Sequence, residues 1–391
     1  MNARILSING GSSSIKFSIF EKKEKLIPQY SGVIKRIGFD DAELIIKDMT
    51  AEKEHRQSVK AKSVSEAAKV LMEWLGQRQG ETITAVGHRI VHGINHADAE
   101  IISDDLLTEL NKNISIDPDH MPGEMMLIKA FKEKYPEIPQ VACFDTAFHT
   151  TMPIRATLLP LPRRYFKSGL RRYGFHGISY SYLMQKLSEE KNANTGGRII
   201  LAHLGNGASM VAVKNQQSID TSMGFSPAGG FPMSTRSGDI DPGIVSFIMK
   251  DQSLTASQFN NLINRQSGLL GISETSSDMQ DLLRTEKSDT RAAEAVEIFC
   301  YQVKKWIGSF SAALSGLDIL VFSGGIGENA SAVRSRICDG LQFLGIELNE
   351  KMNDKSEKII STHNSKVIVY VIPTDEELMI AKMVCRVLSI N

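Results

Sequence analysis

The chain has 391 residues, of which 42% are hydrophobic and 23% charged, which suffices for two ordinary domains around a sizeable core. Lys plus Arg and Asp plus Glu number 45 each, so no net field draws the chain to nucleic acid or anionic membranes. No apolar run approaches the ~20 residues of a membrane span, and residues 1–10 lack a signal-peptide pattern, so we expect a cytoplasmic protein acting on small molecules.

Two stretches, one in each half of the chain, share a pattern of apolar, β-rich runs that meet at a glycine turn. They read RILSINGGSSSIKFSI at residues 4–19 and GRIILAHLGNGASMVAV at residues 197–213. A match this close predicts a duplicated strand-turn-strand unit. Glycine turns offer backbone N–H groups to phosphate oxygens, although two ordinary hairpins would contain the same residue types. The repetition favours a pair of phosphate loops, as in the actin-like ATPases.

Between and after these hairpins, strand-like and helix-like stretches alternate, which predicts an α/β architecture. A helical pattern covers residues 63–78. Residues 141–144 form a predicted buried strand that ends at Asp145, where open α/β sheets bind ligands. Residues 318–341 are typical of a strand, a glycine turn and a helix.

The last predicted element is an amphipathic helix that begins near Thr374. Thr374 and Glu377 have the spacing of a capping box, which would leave Glu376 free to reach elsewhere. Acidic residues at a helix start often only complement the helix dipole. Together with Asp145, however, these carboxylates supply the oxygen ligands that Mg²⁺ prefers.

Three cationic or aromatic-bordered residues are candidates for anion binding. Arg89 lies in GHRIVHG, Arg236 in STRSGDIDPG and His176 in RRYGFHG. A guanidinium fork suits carboxylate or phosphate, although a surface ion pair is the commoner role, and His176 could equally be a satisfied core histidine.

Two other classes of site are disfavoured by the residue spacing. His88, His92 and His96 would align as metal ligands only on a helix, and their glycine and β-branched neighbours argue against one. The four cysteines lack C-x-x-C spacing, so we expect buried, reduced thiols.

Taken together, a series of motifs resembles those of the acetate kinase family, in family order and across almost the whole chain. They are SINGGSSSIKF, VGHRIVHG, FDTAFH, RRYGFHG, HLGNGAS, DTSMG, TRSGDIDP, SGLLGIS, GGIGEN and IPTDEELMIA. The resemblance implies a duplicated actin-like, ribonuclease H-like ATPase fold with two domains and an interdomain cleft. It places an N-terminal domain at residues 1–147 plus 375–391 and a nucleotide-binding domain at residues 148–374.

The resemblance also implies an activity and a set of site residues. Family members are homodimers that move phosphoryl reversibly between ATP and acetate, giving acetyl phosphate and ADP, with Mg²⁺ or alternatively Mn²⁺. The implied catalytic residues are Asp145, His176 and Arg236, the substrate-binding residues are Arg89, Val91, Phe175 and Pro227, and the metal ligands are Asn9 and Glu376. The implied nucleotide contacts are Ser12, Ser14, Lys16, His203, Leu204, Gly205, Asn206, Gly207, Asp278, Met279, Gln280, Gly325, Ile326, Gly327, Glu328 and Asn329.

Several positions depart from the family pattern and keep other functions open. Asp119 replaces a leucine that helps line the methyl pocket, and residues 226–230 read SPAGG instead of TPLEG. Tyr180 stands at a position that is usually histidine, and Gln280 replaces an arginine near the nucleotide. The alternatives are a kinase of propionate or butyrate, a donor such as pyrophosphate, and a non-catalytic ATP-binding regulatory module.

The expected chemistry sets the demands on the site. A carboxylate nucleophile is already ionised at neutral pH, so its attack needs no general base. The obstacle is repulsion between two anions, and each opposite-charge contact at 4 Å can offset about 4 kcal/mol at an effective dielectric constant of 20. Asp145 is therefore expected to orient metal or water and not to accept a proton.

Overall fold

The computed structural model describes residues 3–11, 13–78, 82–191 and 193–390, so the predicted nucleotide contact Ser12 lies outside the described residues. The strands are β1 (Arg4–Gly10), β2 (Ser14–Lys22), β3 (Leu26–Lys35), β4 (Glu43–Asp48), β5 (Lys53–Ser58), β6 (Ala85–Ile90), β7 (Glu100–Ile101), β8 (Gln140–Phe144), β9 (Arg198–Leu204), β10 (Ala208–Lys214), β11 (Gln217–Thr221), β12 (Ile319–Ser323) and β13 (Ile368–Val371). The helices are α1 (Val64–Gly76), α2 (Asp104–Lys112), α3 (Met121–Lys134), α4 (Ile154–Thr157), α5 (Arg163–Lys167), α6 (Gly177–Ser188), α7 (Pro242–Asp251), α8 (Ala256–Arg265), α9 (Gly268–Ser273), α10 (Met279–Thr285), α11 (Thr290–Leu314), α12 (Gly324–Asn329), α13 (Ser331–Cys338), α14 (Glu350–Asp354) and α15 (Glu376–Val387). Short 3-10 turns lie at Ile114–Ile116, Ala147–His149 and Gln342–Leu344.

Contacts between residues divide the chain into two compact units. Unit 1 comprises Met1–Phe148, Gly177–Ser179 and Asp375–Asn391. Unit 2 comprises His149–His176 and Tyr180–Thr374. The predicted domain boundaries, residues 1–147 plus 375–391 and residues 148–374, stay a prediction.

Unit 1 is built on a sheet with the strand order β5-β4-β3-β2-β1-β6-β8-β7. The predicted hairpin is present, with Asn9 on β1 opposite Lys16 on β2. β1, β6 and β8 run parallel to one another. Because parallel strands end at the same sheet edge, Asn9, Arg89 and Asp145 come to that edge together.

Unit 2 repeats this arrangement in a sheet with the order β11-β10-β9-β12-β13. β9 and β10 form the second predicted hairpin, and β9, β12 and β13 run parallel. The strands β3-β2-β1-β6-β8 of unit 1 have the same succession of antiparallel and parallel pairs. The repeated topology confirms the predicted α/β class and its duplication. Among the described residues, no helix has the length and apolar character needed to cross a membrane.

Helices cover both faces of the unit 1 sheet. Successive residues of a strand point to opposite faces, so neighbours on β1 belong to different cores. Leu6 belongs to the core that α1 and α3 complete. Its neighbour Ile5 belongs to the core that α15 completes with Ile380 and Val384. α1 starts as predicted, since the Ser63 side chain accepts a hydrogen bond from the N–H of Glu66.

Gly87 on β6 lets α15 approach the sheet closely. A Cβ atom at this position would lie 2.5 Å from Cγ2 of Ile380 and 2.6 Å from Cγ2 of Val384. We therefore expect Gly87→Ala to lower the free energy of unfolding by about 1–3 kcal/mol through overpacking. Gly308 is the matched control, because it lies within α11 and an added Cβ would meet nothing within 4 Å.

Gly308→Ala is expected to raise the free energy of unfolding by about 0.5–1 kcal/mol, since alanine loses less backbone entropy in a helix. Urea denaturation of both variants measures the two effects. Equal stability changes of the same sign would contradict the packing described for Gly87.

Two predicted helix starts are wrong in detail. Asp375, and not Thr374, caps α15, since its Oδ1 accepts from the N–H of Leu378 at 2.8 Å. Glu377 is therefore not engaged in a capping box. The predicted glycine turn after β12 is itself the short helix α12, because Oε1 of Glu328 accepts hydrogen bonds from the N–H of Gly324 at 2.8 Å and of Thr374 at 3.1 Å. The first of these bonds satisfies a backbone N–H at the start of α12, where the helix itself supplies no acceptor.

Candidate active site

In unit 1, a salt bridge between Arg89 and Asp145 lies at the carboxyl edge of the parallel strands. Oδ2 of Asp145 accepts from Nε of Arg89 at 2.9 Å and from Nη2 at 2.5 Å. Asp145 is fully buried, and its Oδ1 atom has no hydrogen-bond partner among the described residues. Burial alone would lower the pKa of Arg89, but the Asp145 and Glu376 carboxylates raise it, so the guanidinium stays charged.

The start of α15 adds two carboxylates to this edge. Nδ2 of Asn9 donates to Oε2 of Glu376 at 2.9 Å and to Oε1 of Glu377 at 3.4 Å, while its Oδ1 accepts from Nη1 of Arg89 at 3.2 Å. Burial raises the pKa of Glu376, and the neighbouring Asp145 raises it further. The sequence predicts that Glu377 belongs to a capping box and that only Glu376 can reach the site. The structure shows that both carboxylates accept from Asn9.

These residues fit a hard divalent cation. Asn9, Asp145 and Glu376 offer oxygen atoms, and the unpartnered Oδ1 of Asp145 is a buried acceptor that a cation or its water would satisfy. Among the described residues, no three His, Cys, Asp or Glu side chains cluster as a complete metal site. A phosphate-bound Mg²⁺ needs only one or two protein carboxylates. His88, His92 and His96 lie on β6 and the loop after it and not on a helix, so the argument against zinc stands.

Glu124 on α3 is a buried acid that sequence reasoning missed. Both its oxygens accept from the N–H of Val91, at 3.1 and 3.2 Å, just beyond the end of β6. Burial raises the pKa of Glu124 to about 8, against the opposing effect of Arg89. The local sequence shows only a Glu in the first turn of a helix, which does not indicate a buried acid. The partner of Glu124, Val91, is distant in the sequence.

The raised pKa of Glu124 makes stability depend on pH. Between its unfolded pKa near 4.5 and its folded value of about 8, the folded state holds a proton that the unfolded state releases. Relative to Glu124→Gln, the free energy of unfolding of the wild type should therefore fall from pH 5 to pH 8, by at most about 1.4 kcal/mol per pH unit. Urea denaturation across pH 5–9 measures the difference. A difference that is flat or rises with pH would show that Glu124 is ionised when folded.

A small cavity of about 150 Å³ adjoins this part of unit 1, and it is lined by Gly10, Gly11, Val64, Asp119, His120, Gly123 and Glu124. Asp119 therefore lines a cavity whose wall is polar as well as apolar, and its place in a methyl pocket stays a prediction. The neighbouring Asp117 is buried and accepts from Nδ1 of His120 at 2.9 Å. Val91, a predicted substrate contact, is buried in the same unit.

In unit 2, His176 and Arg236 approach the same glycine. A Cβ atom on Gly207 would lie 3.3 Å from Nε2 of His176 and 3.6 Å from Nη1 of Arg236. Nδ1 of His176 lies 2.9 Å from Oγ of Ser209, and its ring stacks on His203 with centroids 4.4 Å apart. Nε2 of His176 and Nη1 of Arg236 thus face the turn between β9 and β10, where the sequence predicts phosphate.

The backbone around these two side chains is specifically held. His176 has a φ of 59°, a conformation that is uncommon for residues other than glycine. The carbonyl of the preceding Phe175, itself buried, is 2.9 Å from Nε2 of His149. Burial lowers the pKa of His149 to about 4, so its ring is neutral and its Nε2–H donates. Nη1 of Arg236 donates to the carbonyl of Pro227 at 3.2 Å.

The predicted nucleotide contacts lie mainly at strand ends of unit 2. His203 on β9 pairs with Ser323 on β12, so the segments that follow these two strands adjoin one sheet edge. The end of β9 and the turn after it contain Leu204, Gly205, Asn206 and Gly207, and α12 contains Gly325, Ile326, Gly327, Glu328 and Asn329. The hydroxyl of Ser323 is buried without a hydrogen-bond partner among the described residues, a further donor that sequence reasoning missed. Asp278 caps α10 by accepting from the N–H of Gln280 at 2.8 Å, and Met279 is buried. Ser14 and Lys16 lie on β2 of unit 1.

Comparison with known proteins decides the family. The model of the acetokinase family matches residues 4–382. The chain belongs to the acetokinase family. An acetate kinase of a Geobacillus species is 42% identical over 400 residues, with 100% of both chains covered. The crystal structure of Porphyromonas gingivalis acetate kinase is 35% identical, covers 99% of this chain and 100% of its own, and has a TM-score of 0.89. A propionate kinase from Francisella tularensis is 36% identical with 98% and 99% coverage and a TM-score of 0.92.

Membership of the acetokinase family confirms three predictions. The resemblance found in the motifs is correct, the fold is the duplicated one of these kinases, and the chain is a phosphotransferase with a carboxyl group as acceptor. Full-length acetate kinase relatives favour ATP-dependent acetate phosphorylation over the alternatives raised by Asp119 and Gln280.

Proposed function

We propose that this chain transfers the γ-phosphoryl group of ATP to acetate, reversibly and with Mg²⁺, giving acetyl phosphate and ADP. The observation that carries the proposal is the assembly of Asn9, Arg89, Asp145 and Glu376 at one edge of the unit 1 sheet. A binding module needs no such set of charged groups. A phosphoryl transfer between two anions does, since it depends on positioning and charge stabilisation.

In this proposal, Asn9 and Glu376 hold Mg²⁺, which when bound neutralises charge on the phosphate oxygens. Asp145 is held by Arg89 through Oδ2 and keeps Oδ1 available to orient the metal or its water. Lys16 stands opposite Asn9 on β2. Burial raises the pKa of Glu376, and the nearby cations Arg89 and Lys16 oppose that rise. Mn²⁺ has the same preference for carboxylate oxygen and is an alternative metal.

Arg89 and Arg236 are proposed to bind the carboxylate and the transferring phosphoryl group. Acetate is ionised at neutral pH, so these guanidiniums reduce the repulsion between nucleophile and phosphate and no proton is removed. His176 is proposed to donate from Nε2 to the phosphoryl oxygens, because that atom faces Gly207 beside Nη1 of Arg236. Val91, Phe175 and Pro227 are proposed to line the methyl pocket.

A homodimer is the proposed assembly, and α7 supports it. The sequence of α7 is largely apolar, yet none of its residues is buried, and Phe247 is 69% exposed. An unburied apolar helix is a common feature of a protein interface. We expect Phe247→Glu to convert a dimer to a monomer in light scattering after size exclusion. Phe343→Glu, on another exposed aromatic of unit 2, is the control and should leave the mass unchanged.

The experiment that tests the function is a hydroxamate trap for acyl phosphate. Formate, acetate, propionate and butyrate are each supplied with ATP and Mg²⁺ or with pyrophosphate and Mg²⁺. We expect the highest kcat/KM for acetate with ATP. Asp119→Leu is included, because Asp119 lines the cavity beside Glu124, and we expect it to raise the preference for acetate. If no combination of acid and phosphoryl donor gives acyl phosphate, the proposed function is wrong and a non-catalytic ATP-binding module is favoured.

A further inference from the structure

Tyr180 occupies the position usually held by histidine in the family, and the structure joins it to His176. Tyr180 lies one helical turn beyond His176, on α6, and is fully buried. Its ring packs edge-to-face on that of His149, with centroids 5.7 Å apart. Its hydroxyl contacts Oγ of Ser209.

Ser209 connects Tyr180 to His176. It lies on β10, its side chain is fully buried, and the same Oγ atom is 2.9 Å from Nδ1 of His176. A serine hydroxyl has one proton to donate and can accept from another donor. The phenol, the serine hydroxyl and the imidazole therefore form a continuous, buried hydrogen-bonded series.

The direction of this series determines which imidazole nitrogen carries the proton. If Tyr180 donates to Ser209 and Ser209 donates to Nδ1, then Nδ1 of the neutral ring is an acceptor and the proton is on Nε2. Nε2 is the atom that faces Gly207 next to Nη1 of Arg236. A proton there gives the phosphoryl site a hydrogen-bond donor without requiring the ring to be cationic.

We propose that Tyr180 is a positioning residue whose phenol, acting through the hydroxyl of Ser209, holds the proton of His176 on Nε2. The inference deepens the proposed function and rests on it for the role of that donor. Tyr180 itself does not touch the reacting atoms. Its effect is exerted on the tautomer and orientation of His176.

The test combines kinetics with the tautomer of His176. Tyr180→Phe keeps the ring on His149 and removes the donor. We expect kcat for acetyl phosphate formation to fall about 10- to 100-fold, by analogy with the losses when the hydrogen-bond partner of a metal-ligating histidine is removed, with KM for ATP and acetate nearly unchanged. Two-bond ¹⁵N–¹H correlations of the histidine rings should show Nε2–H in the wild type and loss of that single tautomer in the variant; His176→Gln assigns the signal.

Two further variants separate the series from a general packing effect. Tyr173→Phe also removes a phenol that donates a hydrogen bond, a partly buried one to the carbonyl of Gly169 at 2.7 Å, and should leave kcat and the His176 tautomer unchanged. Ser209→Ala should reproduce the tautomer loss, and adding Tyr180→Phe to it should reduce kcat no further, because the two act in series.

The proposal would be overturned by a wild-type proton on Nδ1, by an unchanged tautomer in Tyr180→Phe, or by losses that multiply in the double variant. A wild type that forms no acetyl phosphate would refute the proposed function instead. The tautomer measurement would still decide whether Tyr180 controls His176.

Discussion

Asp145→Asn is expected to lower kcat by about 10²- to 10³-fold, the range of losses when one preorganised group that stabilises charge is removed from an active site. The variant retains the size of the side chain but leaves Arg89 without its anionic partner and removes the charge of the unpartnered Oδ1. We also expect the Mg²⁺ concentration for half-maximal activity to rise. Steady-state kinetics with a Mg²⁺ titration measures both quantities, and a pH–rate profile shows whether an essential base is lost.

Asp318→Asn is the matched control for this prediction. Arg198 donates to Asp318 from Nε to Oδ2 at 3.0 Å and from Nη2 to Oδ1, but this pair is partly exposed and lies outside the candidate site. It should change kcat little. The orienting role of Asp145 would be refuted by a pH–rate profile in which one essential base disappears in Asp145→Asn while the Mg²⁺ requirement stays the same.

Arg334→Met is expected to lower the free energy of unfolding by about 3–5 kcal/mol, since it removes the donors of several buried acceptors at once. The fully buried guanidinium donates to the carbonyls of Gly327 and Glu328, at 2.8 and 3.0 Å, at the end of α12. It also donates to Oδ1 and the carbonyl of Asn353, at 2.8 and 2.7 Å. Because α12 contains proposed nucleotide contacts, KM for ATP should rise as well.

Arg336→Met is the control, two residues along the same helix. Arg336 forms a partly exposed bidentate pair with Glu286, at 2.7 Å to each oxygen, and its loss should cost about 1 kcal/mol or less. Urea denaturation and ATP titration measure both variants. If Arg334→Lys were as stable as the wild type, the planar fork would not be what supports α12.

The features that the sequence predicted well are those set by local pattern. Both hairpins, the helix after Ser63 and the buried strand that ends at Asp145 follow from apolar periodicity and turn residues over short windows. Parallel pairing then brings Asn9, Arg89 and Asp145 to one edge, which a strand-end argument anticipates. The family motifs supplied the roles of these residues, which stay predictions.

The features that it missed depend on partners distant in sequence or on choices between adjacent residues. Thr374 and Asp375 are both good capping residues. In the structure Asp375 caps α15, and Glu377 contacts Asn9 on β1. The glycines after β12 suggest a turn, since glycine is a poor helix former, yet Glu328 and Arg334 hold them as α12. Val91, whose N–H donates to Glu124, lies 33 residues before it, so no short stretch of sequence around Glu124 reveals the contact.

The central claim, that the charged groups of this chain permit a carboxylate to attack the γ-phosphate of ATP, is tested most directly by ³¹P NMR. The wild-type protein is mixed with ATP, Mg²⁺ and acetate, and the spectrum is followed with time. We predict that the γ-phosphate signal is lost as an acetyl phosphate signal grows in equal amount, with ADP. Inorganic phosphate as the only new product beside ADP would contradict the account, because water would then be the nucleophile.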